Sequence, residues 1–211
     1  TYTYNKLLGF KPKKVSNRFN LKHSMSLFVL YFSTTKIYKD VKHHTIIFSK
    51  RHYELLNDIF NKKVFVSDPS LYLHRPGATD PSMIQNGNDT FYVLAPVPNN
   101  LSKIDWNNKG NELANIIIKN LQEKIMPELT KNISDMFFVT PDYFENELNT
   151  YAGSAFGIQP IFTQSAYFRY GNKAKEAEGL YFVGASTHPG AGVPGVISTA
   201  KVTEKLILKD Y

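Results

Sequence analysis

The sequence predicts a mixed α/β fold, and three observations lead to that prediction. Short aliphatic and aromatic runs alternate with segments of helical periodicity, and a glycine-rich turn joins the last run to the last helix. The chain has 211 residues, 42% of them hydrophobic, which is enough to bury a sizeable core. It contains no cysteine, which excludes disulfide, iron–sulfur and zinc–thiolate sites and makes a reducing compartment, the cytoplasm, the expected location.

Six short runs rich in aliphatic and aromatic residues predict strands. They are residues 27–32, 45–48, 69–74, 90–96, 136–139 and 180–183. A polar loop with Pro-Gly, Asp-Pro and Asn-Gly turn dipeptides separates the third run from the fourth, so we expect these two to form a hairpin-like pair.

Helical periodicity predicts four helices, over residues 50–60, 105–125, 141–148 and 196–208. Asp105 is suited to cap the second helix, Pro127 closes it, and Pro141 suits the first turn of the third. The fourth helix carries an apolar set on or near one side, formed by Val196, Ile197, Ala200, Ile207 and Leu208.

The net charge of +7 favours an anionic partner, and positive charge is most concentrated at the beginning of the chain. Residues 1–23 form a basic leading segment without a carboxylate; its cations are Lys6, Lys11, Lys13, Lys14, Arg18 and Lys22. The segment could lie on anionic lipid headgroups or be a solvated lysine-rich loop. No nucleic-acid recognition motif accompanies the charge, and the longest apolar run is too short to cross a bilayer. We therefore expect a peripheral membrane partner and no nucleic acid.

The glycine-rich turn suits a phosphate or the pyrimidine edge of a flavin. Gly184, Gly190, Gly192 and Gly195 let backbone amides approach a ligand, and the following helix directs its positive end there. Tight packing of a helix on a sheet explains the same pattern equally well. The letters "GAGVPG" fit a dinucleotide motif, but they lie six residues past their strand and no second strand follows. A cofactor site here would need further sequence.

Six motifs follow one another along the chain: "HHTIIF", "SLYLHRPGATDPS", "FYVLAPVPN", "IDW", "LNTYAGSAFGIQPIFTQSAYFR" and "GLYFVGASTHPGAGVPGVISTAK". In order and spacing they resemble the C-terminal half of the bacterial and fungal phytoene desaturases, a family of FAD-dependent carotenoid desaturases. The resemblance covers roughly residues 24–211.

The resemblance implies the C-terminal part of a two-domain flavoprotein. Residues 24–150 would belong to a substrate-binding domain built on a mixed or antiparallel sheet. Residues 151–211 would return to a Rossmann-type FAD-binding domain and supply its last strand and helix. The implied FAD-binding residues are Gly184, Ala185, Ser186, Thr187, His188, Gly190, Gly192, Val193, Pro194, Gly195 and Val196.

The sequence departs from the family pattern at a few positions of this motif. Ser186 stands where the family often has glycine, and Ser198-Thr199 stand where it more often has Gly-Ser. Related flavoenzymes place an acidic residue after the strand glycine, whereas Ala185 follows here, as is usual for the desaturases. Hydroxyls of Ser186 and Thr187, or backbone amides, would have to bind the ribityl chain instead.

Asp80 is the predicted catalytic residue, because desaturation requires proton loss beside the carbon that gives up a hydride. Asp before Pro also starts turns, so a purely structural role stays open. His188 is expected beside the flavin or as a packed turn residue. No metal site is predicted, since His43 and His44 are adjacent and would point to opposite faces of a strand.

The activity implied by the resemblance is desaturation of phytoene, with hydride passing to FAD and a proton to a base, to give a conjugated polyene such as lycopene. The implied partners are a hydrophobic carotenoid, a membrane surface, and quinone or oxygen as electron acceptor; a homo-oligomer is compatible. These 211 residues alone are expected to be inactive. The alternatives are a carotenoid isomerase, a thirty-carbon desaturase or an oxidase of the same group, and a non-catalytic isoprenoid-binding, membrane-docking module.

Overall fold

The structure is a computed structural model, and it describes residues 3–8, 21–175 and 177–211. Most of the predicted basic leading segment, including Lys11, Lys13, Lys14 and Arg18, lies outside the described residues. The prediction for that segment therefore stays a prediction.

A five-stranded antiparallel sheet forms the centre of the fold, with strand order β2-β3-β4-β1-β5. Its strands are β1 (Ser26–Thr34), β2 (His44–Ile47), β3 (Leu71–His74), β4 (Asp89–Val97) and β5 (Ile133–Val139). The first five predicted strands are confirmed to within a few residues at their ends. The expected pairing of the third and fourth is also confirmed, since β3 pairs with β4. With the helices, this sheet confirms the mixed α/β class.

Five α-helices accompany the sheet in the described part of the chain. They are α1 (His52–Asn57), α2 (Trp106–Lys124), α3 (Leu129–Asn132), α4 (Pro141–Asn146) and α5 (Val193–Asp210). A wider helical turn, Asp58–Lys62, continues α1. Asp105 caps α2 as predicted, because its carboxylate accepts a hydrogen bond from the amide of Asn107 at 3.1 Å. The short helix α3 lacks any predicted counterpart.

The hydrophobic core lies between α2 and one face of the sheet. Leu113, Ile117 and Leu121 of α2 are fully buried, and they belong to the same cluster as Phe28 and Val93 of the sheet. Burying each such side chain contributes about 1.5–3 kcal/mol relative to leaving it in water. Alternate residues of the strands point away from α2, so the second face of the sheet is available for other contacts.

The prediction of a strand over residues 180–183 is wrong in the described structure. The segment is extended, but it makes a single bridge, between Tyr181 and Lys173, and the Phe182 amide donates to the Asn172 carbonyl at 2.8 Å. A strand of a parallel sheet needs a neighbouring strand to complete its ladder. Within the described residues no such neighbour lies beside this segment.

The last helix packs through hydroxyl groups rather than through its apolar set. Thr199 and Thr203 are its buried residues; the Gly184 amide donates to Thr199 Oγ1 at 2.9 Å, and Thr203 Oγ1 donates to the Phe182 carbonyl at 3.1 Å. By contrast, Ile197 is 60% exposed and Leu208 73% exposed. The predicted apolar side of this helix therefore does not face the core of the described structure.

Candidate functional site: the glycine-rich turn and its two cavities

The glycine-rich turn precedes α5 and depends on glycine at several positions. Gly190 has φ +143° and Gly192 has φ +90°, both in the region that disfavours other residues. A Cβ on Gly195 would lie only 2.8 Å from the Gly190 carbonyl oxygen. Within the described residues no side chain caps the N-terminus of α5, so its first amides are available to an acceptor. The turn therefore depends on glycine and ends at an uncapped helix N-terminus, and its role in holding a cofactor stays a prediction.

A cavity of about 620 Å³ opens beside this turn. Gly190, Gly192 and Gly195 line it on one side, and Arg169 lines it as well. The rest of its wall is mainly apolar and includes Met25, Phe60, Phe156, Pro160, Ile161, Pro189 and Ala191. The helix N-terminus and a guanidinium thus border an otherwise apolar space, which suits a ligand with a planar body and an electron-rich edge.

Arg169 is a site residue that the sequence reasoning missed. Its side chain is buried, and its guanidinium donates to the carbonyls of Ala185 at 2.7 Å, Ile158 at 3.2 Å and Gln164 at 3.2 Å. Burial lowers the pKa of Arg169. Among the residues that the structure describes, no carboxylate lies within ion-pair distance of it. Its charge is therefore balanced there by carbonyl dipoles alone.

A second cavity, of about 520 Å³, is lined by Ala185 and Ser186 of the turn. His23 and Gly157 also border it. The His23 ring lies 4.2 Å from that of Tyr151, and burial, followed by nearby positive charge, lowers the pKa of His23 to about 4. Two predicted cofactor residues therefore face a different cavity from the glycines.

The other predicted cofactor residues differ in what they can offer. Thr187 is buried, and its hydroxyl donates to the Gly184 carbonyl at 2.9 Å, so it serves the turn itself. His188 Nδ1 lies 3.0 Å from the Ala166 carbonyl oxygen, which only accepts, so Nδ1 carries hydrogen. Val193 is 74% exposed and Pro194 is also exposed, whereas Val196 is half-buried.

Asp80 lies in the loop between β3 and β4, apart from the glycine-rich turn. It is exposed, and its carboxylate accepts hydrogen bonds from the Ser82 amide at 3.0 Å and the Ser82 hydroxyl at 2.7 Å. These hydrogen bonds lower the pKa of Asp80. Asp80 is not among the described residues that line the two cavities beside the turn. The carboxylate is thus ionised at neutral pH and open to solvent.

The ends of the loop that carries Asp80 are joined by a buried ion pair. Arg75 Nε donates to Asp89 Oδ2 at 2.6 Å, with side chains 5% and 0% exposed, and Arg75 Nη1 donates to the Val41 carbonyl at 3.0 Å. Asp89 Oδ1 also accepts from the Thr90 amide at 3.1 Å. The pair fixes the end of β3 to the start of β4 and so positions the loop.

The side chains of His43, His44 and His74 meet at the C-terminal end of β3. The expectation that His43 and His44 point to opposite faces of a strand is therefore wrong. The ring centroids of His43 and His44 are only 4.2 Å apart, and both rings also contact the ring of His74. The alternation rule fails because His43 precedes β2 and is not part of the strand. His74 joins them, since it is paired with His44 in the register of β2 and β3. The signal that could have found this cluster is the antiparallel pairing of the two strands.

A row of rings crosses the sheet on the face opposite α2. Neighbouring ring centroids are 5.3 Å apart for His44 and His74, 4.6 Å for His74 and Tyr92, 6.0 Å for Tyr92 and Tyr31, and 4.8 Å for Tyr31 and Phe137. The row takes one ring from each of the five strands. Four strand spacings of about 4.8 Å give it a length of about 19 Å. A cavity of about 290 Å³ adjoins Tyr31 and Phe137.

None of the helices in the described residues combines the length and the apolar character needed to span a bilayer.

Curated relatives match the chain along almost its entire length. No protein-family model matches the chain. It is 46% identical over 213 residues to a phytoene desaturase (lycopene-forming) of Paracoccus sp. (strain N81106 / MBIC 01143), covering 99% of this chain and 42% of that protein. The corresponding enzyme of Pantoea ananas is 44% identical over 99% of this chain and 43% of its own length. A 4,4'-diapophytoene desaturase (4,4'-diaponeurosporene-forming) of Staphylococcus haemolyticus is 37% identical.

The chain spans less than half the length of these curated relatives. The extent and level of identity confirm the resemblance drawn from the motifs. Over almost its entire length, the chain is homologous to a C-terminal portion of the bacterial phytoene desaturases.

Proposed function

We propose that the full-length protein is an FAD-dependent desaturase of phytoene, acting in carotenoid biosynthesis. The observation that carries the proposal is the cavity of about 620 Å³ between the uncapped N-terminus of α5 and the buried guanidinium of Arg169. Both groups favour an electron-rich or anionic ligand, and the rest of the wall is suited to a flat apolar body. The names of the relatives support the same activity.

FAD is the proposed ligand of this site. Amides of Gly190, Gly192 and Gly195 would face its electron-rich edge, and Arg169 would add positive charge. The remaining proposed FAD contacts are Gly184, Ala185, Ser186, Thr187, His188, Val193, Pro194 and Val196. When bound, FAD would accept a hydride from one substrate carbon while the neighbouring carbon loses a proton. On this proposal, residues 151–211 belong to the FAD-binding domain.

The ring row of the sheet is the proposed wall of the substrate site in residues 24–150. A polyene precursor has little to hydrogen-bond, so a ring-lined surface about 19 Å long is a suitable chemical match. Tyr31 and Phe137 remain 36% and 58% exposed, which leaves them available to a ligand. Tyr92 belongs to β4, which lies between β3 and β1 in the sheet. Its ring contacts both Tyr31 and His74 and so joins the exposed end of the row to the histidine end.

Asp80 remains the proposed proton acceptor. Its carboxylate is ionised at neutral pH, because the hydrogen bonds from Ser82 lower its pKa. An ionised, solvent-open carboxylate can pass a proton on to water after each turnover. The role requires that the substrate pass over the β3–β4 loop, whose ends the Arg75–Asp89 pair holds together.

The proposed location is the cytoplasmic surface of a membrane, where a carotenoid precursor dissolves. The rings of Phe162 and Tyr167 are 85% and 88% exposed, on neighbouring short turns, and Phe168 contacts both. Exposed aromatic rings of this kind suit the interface between headgroups and acyl chains. Quinone dissolved in the same membrane, or oxygen, is the proposed electron acceptor, and a homo-oligomer is compatible with the proposal.

The test of the proposal uses protein expressed from its full reading frame. Flavin absorbance should accompany the purified protein, and phytoene supplied in liposomes should be converted to more conjugated products that separate by chromatography. Replacing phytoene by its thirty-carbon counterpart tests the alternative substrate, since one relative is named for that compound. Full-length protein that binds no FAD would overturn the proposal.

The role of Asp80 is tested separately with two variants. Asp80→Asn should lower turnover by about 10²–10⁴-fold while FAD remains bound, because the amide cannot accept the proton. Ser82→Ala keeps the carboxylate and removes one of its hydrogen bonds, so it should raise the pKa of Asp80 and leave turnover at neutral pH largely intact. Unchanged turnover of Asp80→Asn would remove this residue from the mechanism.

A further inference from the structure

The histidine cluster formed by His43, His44 and His74 places three ring nitrogens close together. Each residue offers one nitrogen, and the three nitrogens lie within 4.8 Å of one another. The backbone holds this arrangement from both strands, because His44 pairs with His74 and the His43 carbonyl accepts from the Arg75 amide at 2.9 Å. The cluster lies far in sequence from the glycine-rich turn and has no part in the FAD proposal.

Hydroxyl groups behind the cluster orient two of its rings. His43 Nδ1 is hydrogen-bonded to Thr79 Oγ1, and His44 Nδ1 lies 2.7 Å from the Tyr72 hydroxyl oxygen. If each Nδ1–H donates to its oxygen, the lone pair of each ring is at Nε2. His43 Nε2 lies 2.7 Å from His74 Nε2, inside the cluster. Fixing one ring nitrogen so that the other can bind is the usual outer arrangement of metal-binding histidines.

The hydrogen bonds within the cluster do not satisfy it completely. His74 Nδ1 is buried and has no hydrogen-bond partner among the residues that the structure describes. The neighbouring Arg75 is paired with Asp89 and does not add an unbalanced positive charge. In the metal-free protein one of the two Nε2 atoms that lie 2.7 Å apart carries the hydrogen of this hydrogen bond, and a bound cation would take the place of that hydrogen.

We propose that His43, His44 and His74 bind a divalent transition-metal ion, with zinc as the biological ion. Zinc–nitrogen bonds of 2.0–2.1 Å in tetrahedral geometry put ligand nitrogens about 3.3 Å apart. In the cluster, His43 Nε2 and His74 Nε2 are 2.7 Å apart, and all three ligand nitrogens lie within 4.8 Å of one another. Ring rotations that move these nitrogens by about 1 Å would bring them to the separations that zinc requires. Three protein ligands leave the fourth position to water, on the side where His44 is exposed.

The bound ion would join β2, an edge strand of the sheet, to β3. It would cap the ring row at one end and hold the start of the loop that carries Asp80, since Thr79 contacts His43. Copper(II) would bind the same nitrogens at least as tightly in vitro, because copper(II) binds a given nitrogen site more tightly than zinc does. The site follows from the three side chains themselves and would remain if the FAD proposal failed.

Zinc binding is the experiment that tests the site. Protein from the full reading frame is stripped with a chelator and titrated with Zn²⁺ by calorimetry at pH 7.5. One Zn²⁺ per chain should bind, and His43→Ala or His44→Ala should weaken binding by at least about 100-fold, beyond the effect of losing an outer partner. His52→Gln, which changes a histidine of α1 outside the cluster, is the matched control and should bind like the wild type.

Tyr72→Phe keeps all three imidazoles and covers the case in which the histidine variants fail to fold. It removes only the hydroxyl beside His44 Nδ1 and should weaken Zn²⁺ binding by about 10–100-fold. Zn²⁺ should also raise the melting temperature of the wild-type protein. Less than stoichiometric binding by the wild type, or affinity unchanged in both Tyr72→Phe and the folded histidine variants, would overturn the proposal.

Discussion

The buried Arg75–Asp89 pair allows the effect of burial on the energy of an ion pair to be separated from the effect of the distance between its charges. Its nitrogen and oxygen are 2.6 Å apart with side chains 5% and 0% exposed. Lys109 and Glu112 of α2 are also 2.6 Å apart, but their side chains are 42% and 47% exposed. Substituting the acidic residue of each pair, Asp89→Asn and Glu112→Gln, therefore changes one charge at the same separation in two environments.

The expected costs differ by about an order of magnitude. The Asp89→Asn change leaves the buried Arg75 charge without a charged partner, which costs about 3–5 kcal/mol of unfolding free energy. Removing Glu112 leaves Lys109 in water, at a cost of about 0.3–0.5 kcal/mol. In a chain of this size each kcal/mol lowers the melting temperature by about 2–4 °C, so Asp89→Asn should lower it by about 6–20 °C.

Urea denaturation at pH 7 is the assay, with the midpoint and slope compared among the variants. A third variant replaces both partners, Arg75→Met with Asp89→Leu, and should recover most of the lost stability because no unpaired charge remains. A loss below about 1 kcal/mol for Asp89→Asn, comparable to Glu112→Gln, would show that burial of this pair does not control its energy.

Three further predictions concern the turn, the second cavity and the membrane surface. Gly195→Ala should remove bound flavin from the full-length protein, because its Cβ would lie 2.8 Å from the Gly190 carbonyl oxygen. Burial holds the pKa of His23 at about 4, below its unfolded value near 6.5, so stability should fall as the pH drops from 7 to 5, by about 1 kcal/mol after allowance for solvent screening. Phe162→Ser with Tyr167→Ser should reduce binding to liposomes at least about 10-fold, because two highly exposed rings are lost.

Matched controls accompany these three predictions. Gly171→Ala adds a Cβ whose nearest neighbour would be 3.9 Å away, so flavin should be retained; equal loss in both glycine variants would contradict the turn argument. His23→Phe should flatten the stability profile below pH 6.5, and an unchanged profile would exclude His23 as the cause. Tyr53→Ser changes a ring that is 84% exposed on α1, and liposome binding that responds to it equally would argue against a specific docking surface.

Prediction from sequence succeeded where local patterns decide the structure. The apolar runs at residues 27–32 and 90–96 identified the two long strands, and the Asp105 cap with the apolar face behind it identified α2. The segment at residues 180–183 has an equally strand-like pattern but lacks a partner strand in the described residues. Strand pairing is a non-local property, so the pattern alone could not predict this outcome.

The site was predicted less completely because its key contacts connect distant residues. The glycine-rich turn was singled out from the sequence because the conformations of Gly190 and Gly192 are encoded locally, and its role in FAD binding stays a proposal. Arg169 was missed because its role depends on carbonyls brought to it by folding. The histidine cluster was missed for the same reason, since it depends on the register of β2 with β3.

The position of β1 in the sheet has a consequence for synthesis of the chain. Of the five strands of this sheet β1 is made first, yet its neighbours are β4 and β5, and the last residue of β5 follows about 100 residues after β1 ends. At about 5–20 residues per second, the ribosome needs about 5–20 s to supply both partners. During that interval the run "LFVLYF" has both edges unpaired, so we expect folding in the cell to rely on chaperones that shield it.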